Sequence, residues 1–110
     1  MPESESGRQR LIRLEASKDG IILWRNNIGV AFHNYPIYYG VGGNGGADLI
    51  GIVDGIFLAI EVKIPGEKPS ENQENFLQQV RANGGIAIVA SDYEDVKRGI
   101  NDVIPGRITR

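Results

Sequence analysis

Polar and apolar residues from Ser4 to Ser17 mix in a composition suited to a helix. Ser4 stands ready to cap it, Glu5 adds negative charge to its first turn, and Asp19-Gly20 supplies a stop. The short run Ile21-Ile22-Leu23-Trp24 is β-branched and aromatic, which predicts a strand leading into Arg25-Asn26-Asn27. Residues 29–46 are rich in glycine, carry Tyr35, Tyr38 and Tyr39, and hold neither a helical nor a strand period over a useful length. They predict a long loop, with a short strand inside it as the alternative, and such loops often serve function.

Asp54-Gly55, flanked by apolar runs on both sides, predicts a two-residue hairpin turn, because this pair readily takes the positive φ angles that the turn needs. The paired strands would run from Asp48 to Val53 and from Ile56 to Ile64. Both are apolar on each face, so both faces of the sheet should be covered, by helices or by a partner. Ser70-Glu71-Asn72-Gln73 carries a capping-box signature and opens a helix with Phe76, Leu77 and Val80 as its buried stripe. Asn83-Gly84-Gly85 ends it, and Ile86 to Ala90 forms a buried strand. Ser91-Asp92-Tyr93-Glu94 repeats the capping signature and starts a last helix that runs to about Gly99. Strand, helix and strand from Ile56 to Ala90 make a βαβ unit with parallel strands. The fold class is therefore α/β, a mixed sheet flanked by helices in one domain over residues 1–110.

The hairpin also fixes a side-chain constellation. Counted outward from the turn, Val53 faces Ile56 and Asp48 faces Glu61. Opposed side chains on one face have Cβ atoms about 4.5 to 5.5 Å apart, where two like charges destabilise a sheet. Lys63 lies two residues beyond Glu61 and so on the same face, with Gly46 opposite it leaving space. A divalent cation between the carboxylates would relieve their repulsion, and Mg²⁺ suits one or two carboxylates completed by water and phosphate. Such an ion polarises a phosphoryl oxygen, while a nearby ammonium orients water or stabilises developing charge. The bland alternative is that Glu61 and Lys63 are ordinary strand charges that pair with each other or with Asp48.

Composition narrows the remaining possibilities. With 41% hydrophobic and 24% charged residues the chain can build a core and does not match a disordered segment. There is no cysteine, so a metal would have to sit on oxygen or on the single histidine, His33. That histidine stands in the glycine-rich segment with no partner at ligand spacing and is read as having no such role. The start Met1-Pro2-Glu3 lacks the regions of a signal peptide, and no apolar run reaches the roughly 18 residues of a membrane span. The expectation is a soluble cytoplasmic protein. A net charge of −2 decides nothing about nucleic acid, because binding depends on where cations cluster. Arg8, Arg10 and Arg13 do cluster early in the chain.

Gly45-Gly46-Ala47-Asp48, Ile60-Glu61-Val62-Lys63 and Ser70-Glu71-Asn72-Gln73 together resemble the PD-(D/E)xK nucleases, and within them the VRR-NUC group found in phages and repair nucleases. The resemblance runs from about Ser4 to Val96 and includes Arg25-Asn26-Asn27 and Gly84-Gly85-Ile86. It departs from the motif at Ala47, where proline usually precedes the aspartate, a change that removes no chemical group. The resemblance implies a restriction-endonuclease-like fold and a Mg²⁺- or Mn²⁺-dependent DNA endonuclease. Asp48, Glu61, Lys63, Gln73 and Glu5 are its implied catalytic residues. Asp48, Glu61, Val62 and Glu5 are its implied metal ligands, with Glu3 and Glu15 competing for the first-helix position. Gln73 has a second reading, as the reciprocal cap of Ser70, and Glu5 a second reading as a first-turn charge.

Stand-alone members of the group suggest branched DNA, such as a four-way junction, in the cytoplasm of a bacterial host if the chain is phage-encoded. The rivals are a non-cutting DNA-binding or assembly module on the same fold, and a hydrolase of small phosphoesters. Resolving a junction needs two cuts, which predicts a homodimer joined through the aromatic segment between Gly29 and Gly46.

Overall fold

The computed structural model describes residues 4–110. The first helix, α1 (Glu5–Lys18), begins where the Ser4 hydroxyl accepts a hydrogen bond from the Gly7 N–H at 3.0 Å and ends at Asp19. The chain then turns so tightly that the Ile21 N–H bonds the Ala16 carbonyl. Ile21 is therefore buried within the turn, and β1 (Leu23–Arg25) starts later than the apolar run suggests.

The segment expected to be a long loop is instead a hairpin of β2 (Gly29–Phe32) and β3 (Pro36–Tyr39), a separate two-stranded sheet. It hid from pattern reading because neither strand has a buried face. Phe32 is 75% exposed, and Val30, Tyr35, Ile37, Tyr38 and Tyr39 also face outward.

The Asp54-Gly55 turn forms as expected, with φ of 51° and 80° at the two residues. It joins β4 (Leu49–Val53) to β5 (Ile56–Val62), and the pairing runs from Val53↔Ile56 to Leu49↔Ile60. The second helix, α2 (Glu71–Ala82), has the reciprocal Ser70–Gln73 capping box and leads into β6 (Ile86–Ala90). β6 lies parallel to β5, whereas β1 and β4 are antiparallel neighbours, which gives a mixed sheet in the order β1-β4-β5-β6.

The last helix, α3 (Tyr93–Val103), begins one residue later than its signature suggests and ends later too. Ser91 donates its hydroxyl to the Lys63 carbonyl, so Asp92 takes the cap by accepting from the Asp95 N–H. Gly99 is no stop: a Cβ there would press into Ile88, so the glycine allows α3 to lie close on β6.

One face of the sheet is covered from within the chain, whereas the other is covered only where α2 lies over β5 and β6, and Trp24, Ile52 and Phe57 on it stay exposed. Leu49, Leu58, Ile60, Val62, Ile86 and Ile88 bury one face beneath Ile12 and Ala16 of α1 and Val96 and Ile100 of α3. On the other face a smaller cluster joins Ala59 and Ala87 to Leu77 and Val80 of α2, with Phe76 partly buried beside it. Each large aliphatic side chain fully withdrawn from water contributes about 1.5–3 kcal/mol, so the first face carries most of the stability. No helix among the described residues is long and apolar enough to cross a membrane.

Candidate active site

Alternation along β5 sends Leu58, Ile60 and Val62 into the larger core and Ala59 and Glu61 to the α2 side. Only 1% of Glu61 is exposed. Asp48 stands at the entrance to β4, half-buried, and its Oδ2 accepts a hydrogen bond from the Val62 N–H at 2.8 Å. The turn register therefore brings Asp48 alongside the end of β5. Lys63 continues past the strand, its own N–H bonded to the Ala90 carbonyl, and its Nζ lies 3.5 Å from Glu61 Oε2.

The other carboxylate oxygen, Glu61 Oε1, is buried with no hydrogen-bond partner among the described residues. Such orphans are rare in folded proteins, since leaving a polar atom unsatisfied costs about 1–3 kcal/mol and more for a charged one. Burial, followed by the charge of Asp48, pushes the Glu61 carboxyl up to about 7, against the pull of Lys63. Burial raises Asp48 as well, opposed by the Val62 N–H and by Lys63. A proton kept on Glu61 relieves its repulsion with Asp48. A paired, dehydrated carboxylate site with an unpartnered oxygen suits a divalent cation, which would take the place of that proton. Asp48 and Glu61 are the residues that would hold it. Among the described residues no group of three or more His, Cys, Asp or Glu side chains forms a metal cage.

The other candidate residues have contacts of their own. Gln73 accepts from the Ser70 N–H at 2.8 Å, so its carboxamide oxygen completes the cap of α2. Glu5 sits half-buried in the first turn of α1 and does not join the carboxylate pair in a metal cluster. Glu15 pairs with Lys18 and Arg110, while Glu3 lies outside the described residues. His33 is exposed between β2 and β3. The Val62 side chain is fully buried in the core, and only its main chain reaches the pair. Gly46 does not make room for Lys63. A Cβ there would collide with the Val41 carbonyl oxygen, so its bareness lets the loop cross over itself.

Asn26 is a site residue that pattern reading missed. It is buried, its Nδ2 donates to the carbonyls of Val41 (2.7 Å) and Ala47 (2.9 Å), and its Oδ1 accepts from the Val41 N–H. Its own N–H bonds the Asp48 carbonyl at 2.8 Å. One side chain thus closes the base of the β2–β3 hairpin and fixes the chain entering Asp48. The signals were an asparagine after a strand, which reads equally well as a turn residue, and its place in the Arg25-Asn26-Asn27 run of the family resemblance.

A family model of the VRR-NUC domain matches residues 5–92, which takes in α1, the whole four-stranded sheet, α2 and the carboxylate pair. No individual curated protein matches the chain. VRR-NUC proteins are nucleases with DNA as their partner, and they generally depend on a divalent metal. With a match over far more than half of its length, the chain belongs to the VRR-NUC family, within the PD-(D/E)xK nuclease superfamily.

Proposed function

We propose that this nuclease is a Mg²⁺- or Mn²⁺-dependent DNA endonuclease whose chemistry centres on Asp48, Glu61 and Lys63. The buried, unpartnered Glu61 Oε1 beside a second carboxylate and an ammonium is the observation that carries this reading. The cation, when bound, supplies positive charge to a phosphate oxygen and lowers the pKa of a coordinated water. Asp48 and Glu61 would hold that cation as carboxylates, and the Val62 N–H fixes the Asp48 carboxylate at the end of β5. Lys63 keeps its ammonium beside Glu61, where it can orient the attacking water and stabilise charge that develops on phosphate. Gln73 and Glu5 belong to the proposal in a secondary role, Gln73 by way of the free amide of its capping side chain and Glu5 from the first turn of α1.

The substrate we infer is branched DNA, such as a four-way junction, and the working unit a homodimer that brings two sites to two strands. The exposed apolar hairpin supports a self-association surface, since no described residue of the monomer covers it. Incubation with duplex, single-stranded, flap and four-way DNA, with Mg²⁺, Mn²⁺ or chelator, tests the function. Metal-dependent cutting that favours the four-way substrate is expected. Binding without cutting on every substrate would instead identify a non-cleaving DNA module. Light scattering tests the dimer: a mass near the 12.0 kDa of one chain, with cleavage retained, refutes it.

A further inference from the structure

Arg10 and Arg13 sit three residues apart on α1, with Ser6 and Gln9 one turn earlier, so the four crowd one side of the helix. Arg25 ends β1, the edge strand next to that helix. These five residues line a single open groove of ≈ 170 Å³. A second hollow of ≈ 300 Å³, again with Arg10 and Arg13, continues along the same helix.

The charge in this groove has no counterpart among the described residues. Arg81, Arg98, Arg107 and Arg110 each meet a carboxylate. Arg10, Arg13 and Arg25 meet none among the described residues, and no acidic side chain lines the groove. Arg13 is nonetheless held, since its Nε donates to the Leu23 carbonyl at 3.3 Å. Acidic residues outnumber basic ones by 14 to 12, so leaving three arginines together without an acid is a specific arrangement. All three are exposed, so the groove presents unneutralised positive charge to solvent, where an anion can meet it.

The groove is joined to the carboxylates through the backbone, its Arg25 side chain leaving β1 on the α1 face and Glu61 leaving β5 on the α2 face. Arg25 pairs with Leu49, the residue after Asp48, and the following Asn26 N–H bonds the Asp48 carbonyl. We propose that Arg10, Arg13 and Arg25 hold backbone phosphates of the DNA flanking the one that is cut. Nucleic acid then runs from the carboxylate pair around the β1 edge and along α1. This rests on the DNA-cutting reading above and adds the path of the substrate. Guanidinium groups suit it, because each can grip two phosphate oxygens at once.

The test is the affinity of the Arg10→Gln/Arg13→Gln/Arg25→Gln variant for labelled duplex DNA, measured by anisotropy in chelator across a salt series. We expect Kd to rise at least about tenfold and the slope of log affinity against log salt to flatten by about 2–3, near 0.9 for each phosphate no longer neutralised. Lysine at the same three positions should restore most of the slope, and cutting by the glutamine variant should recover at saturating protein. An unchanged Kd and slope, a loss that lysine does not restore, or no DNA binding by the wild type overturns the proposal. If the wild type fails to cut yet the slope flattens as expected, the cutting reading fails and the groove stands. If the triple variant does not fold, Arg10→Gln and Arg25→Gln, which break no hydrogen bond among the described residues, each carry the test with a slope change of about 1.

Discussion

Leu58, Ile60 and Val62 on one side of β5, and Ala59 and Glu61 on the other, are almost equally withdrawn from water, yet burial acts on them in opposite senses. The aliphatic side chains gain from leaving water and lock the sheet beneath α1 and α3. Glu61 loses hydration, meets a second acid and keeps one oxygen without a donor. Five neighbouring residues thus carry both the stabilising core and a local cost, because a strand alternates its side chains between two environments. Stability and chemistry can therefore be damaged separately.

The sharpest separation should come from activity. Glu61→Gln and Lys63→Ala are expected to lower cleavage at least about a hundredfold while leaving DNA affinity largely intact, since these groups act on the transition state. Undiminished cutting by either variant would break the site assignment. Next comes the opposite face: Ile60→Ala, at a fully buried position, should cost about 2–5 kcal/mol in urea unfolding and leave cutting by the folded fraction unchanged. Glu61→Gln in chelator should cost far less than that, and equal losses from the two variants would erase the contrast.

The pH dependence of the metal-free protein sharpens the same point. The Glu61 carboxyl is raised from 4.5 to about 7 in the folded chain, so between those values the native state binds more protons than the unfolded one. Stability is fully present below about 4.5, falls as pH rises through about 7, and is level beyond it. Asp48, also raised, acts in the same direction. Thermal melting in chelator should therefore give a higher Tm near pH 5 than near pH 7.5, and Glu61→Gln should reduce the difference. A Tm that rises over this interval in the wild type and stays unaffected by the variant would contradict the burial of the pair. The smallest effect expected is stabilisation by Mg²⁺ or Mn²⁺ at neutral pH, about 1–3 kcal/mol when the cation exceeds its Kd ten- to a hundredfold. Differential scanning fluorimetry with no shift in either ion would count against a cation between Asp48 and Glu61.

The side of the molecule with these opposed environments was also the more legible one. Asp54-Gly55 set the register, which holds from Val53↔Ile56 to Leu49↔Ile60 and leads on to Asp48 and Glu61. β2 and β3 were not legible, because period-two patterning records a buried face and this hairpin has none. At α3 the signature was present, but Ser91 had a stronger use on the Lys63 carbonyl, a contact between segments distant in sequence. The arginine groove stayed hidden for the same reason: Arg25 joins Arg10 and Arg13 only once β1 folds against α1. Local signals carry turns, caps and strand register, whereas side chains with two possible partners are decided by tertiary proximity.

Asn26 divides the molecule mechanically. The β2–β3 hairpin has little buried surface to hold it, so its amides should exchange with solvent quickly, whereas those of β4 and β5 open only with the whole sheet. The boundary between the two regimes falls on three hydrogen bonds from one carboxamide, which grip Val41 and Ala47 on the far side of the excursion. A displacement of the hairpin therefore meets these bonds at its root before it reaches Asp48. An exposed arm can thus be loaded by a partner while the carboxylates keep their places.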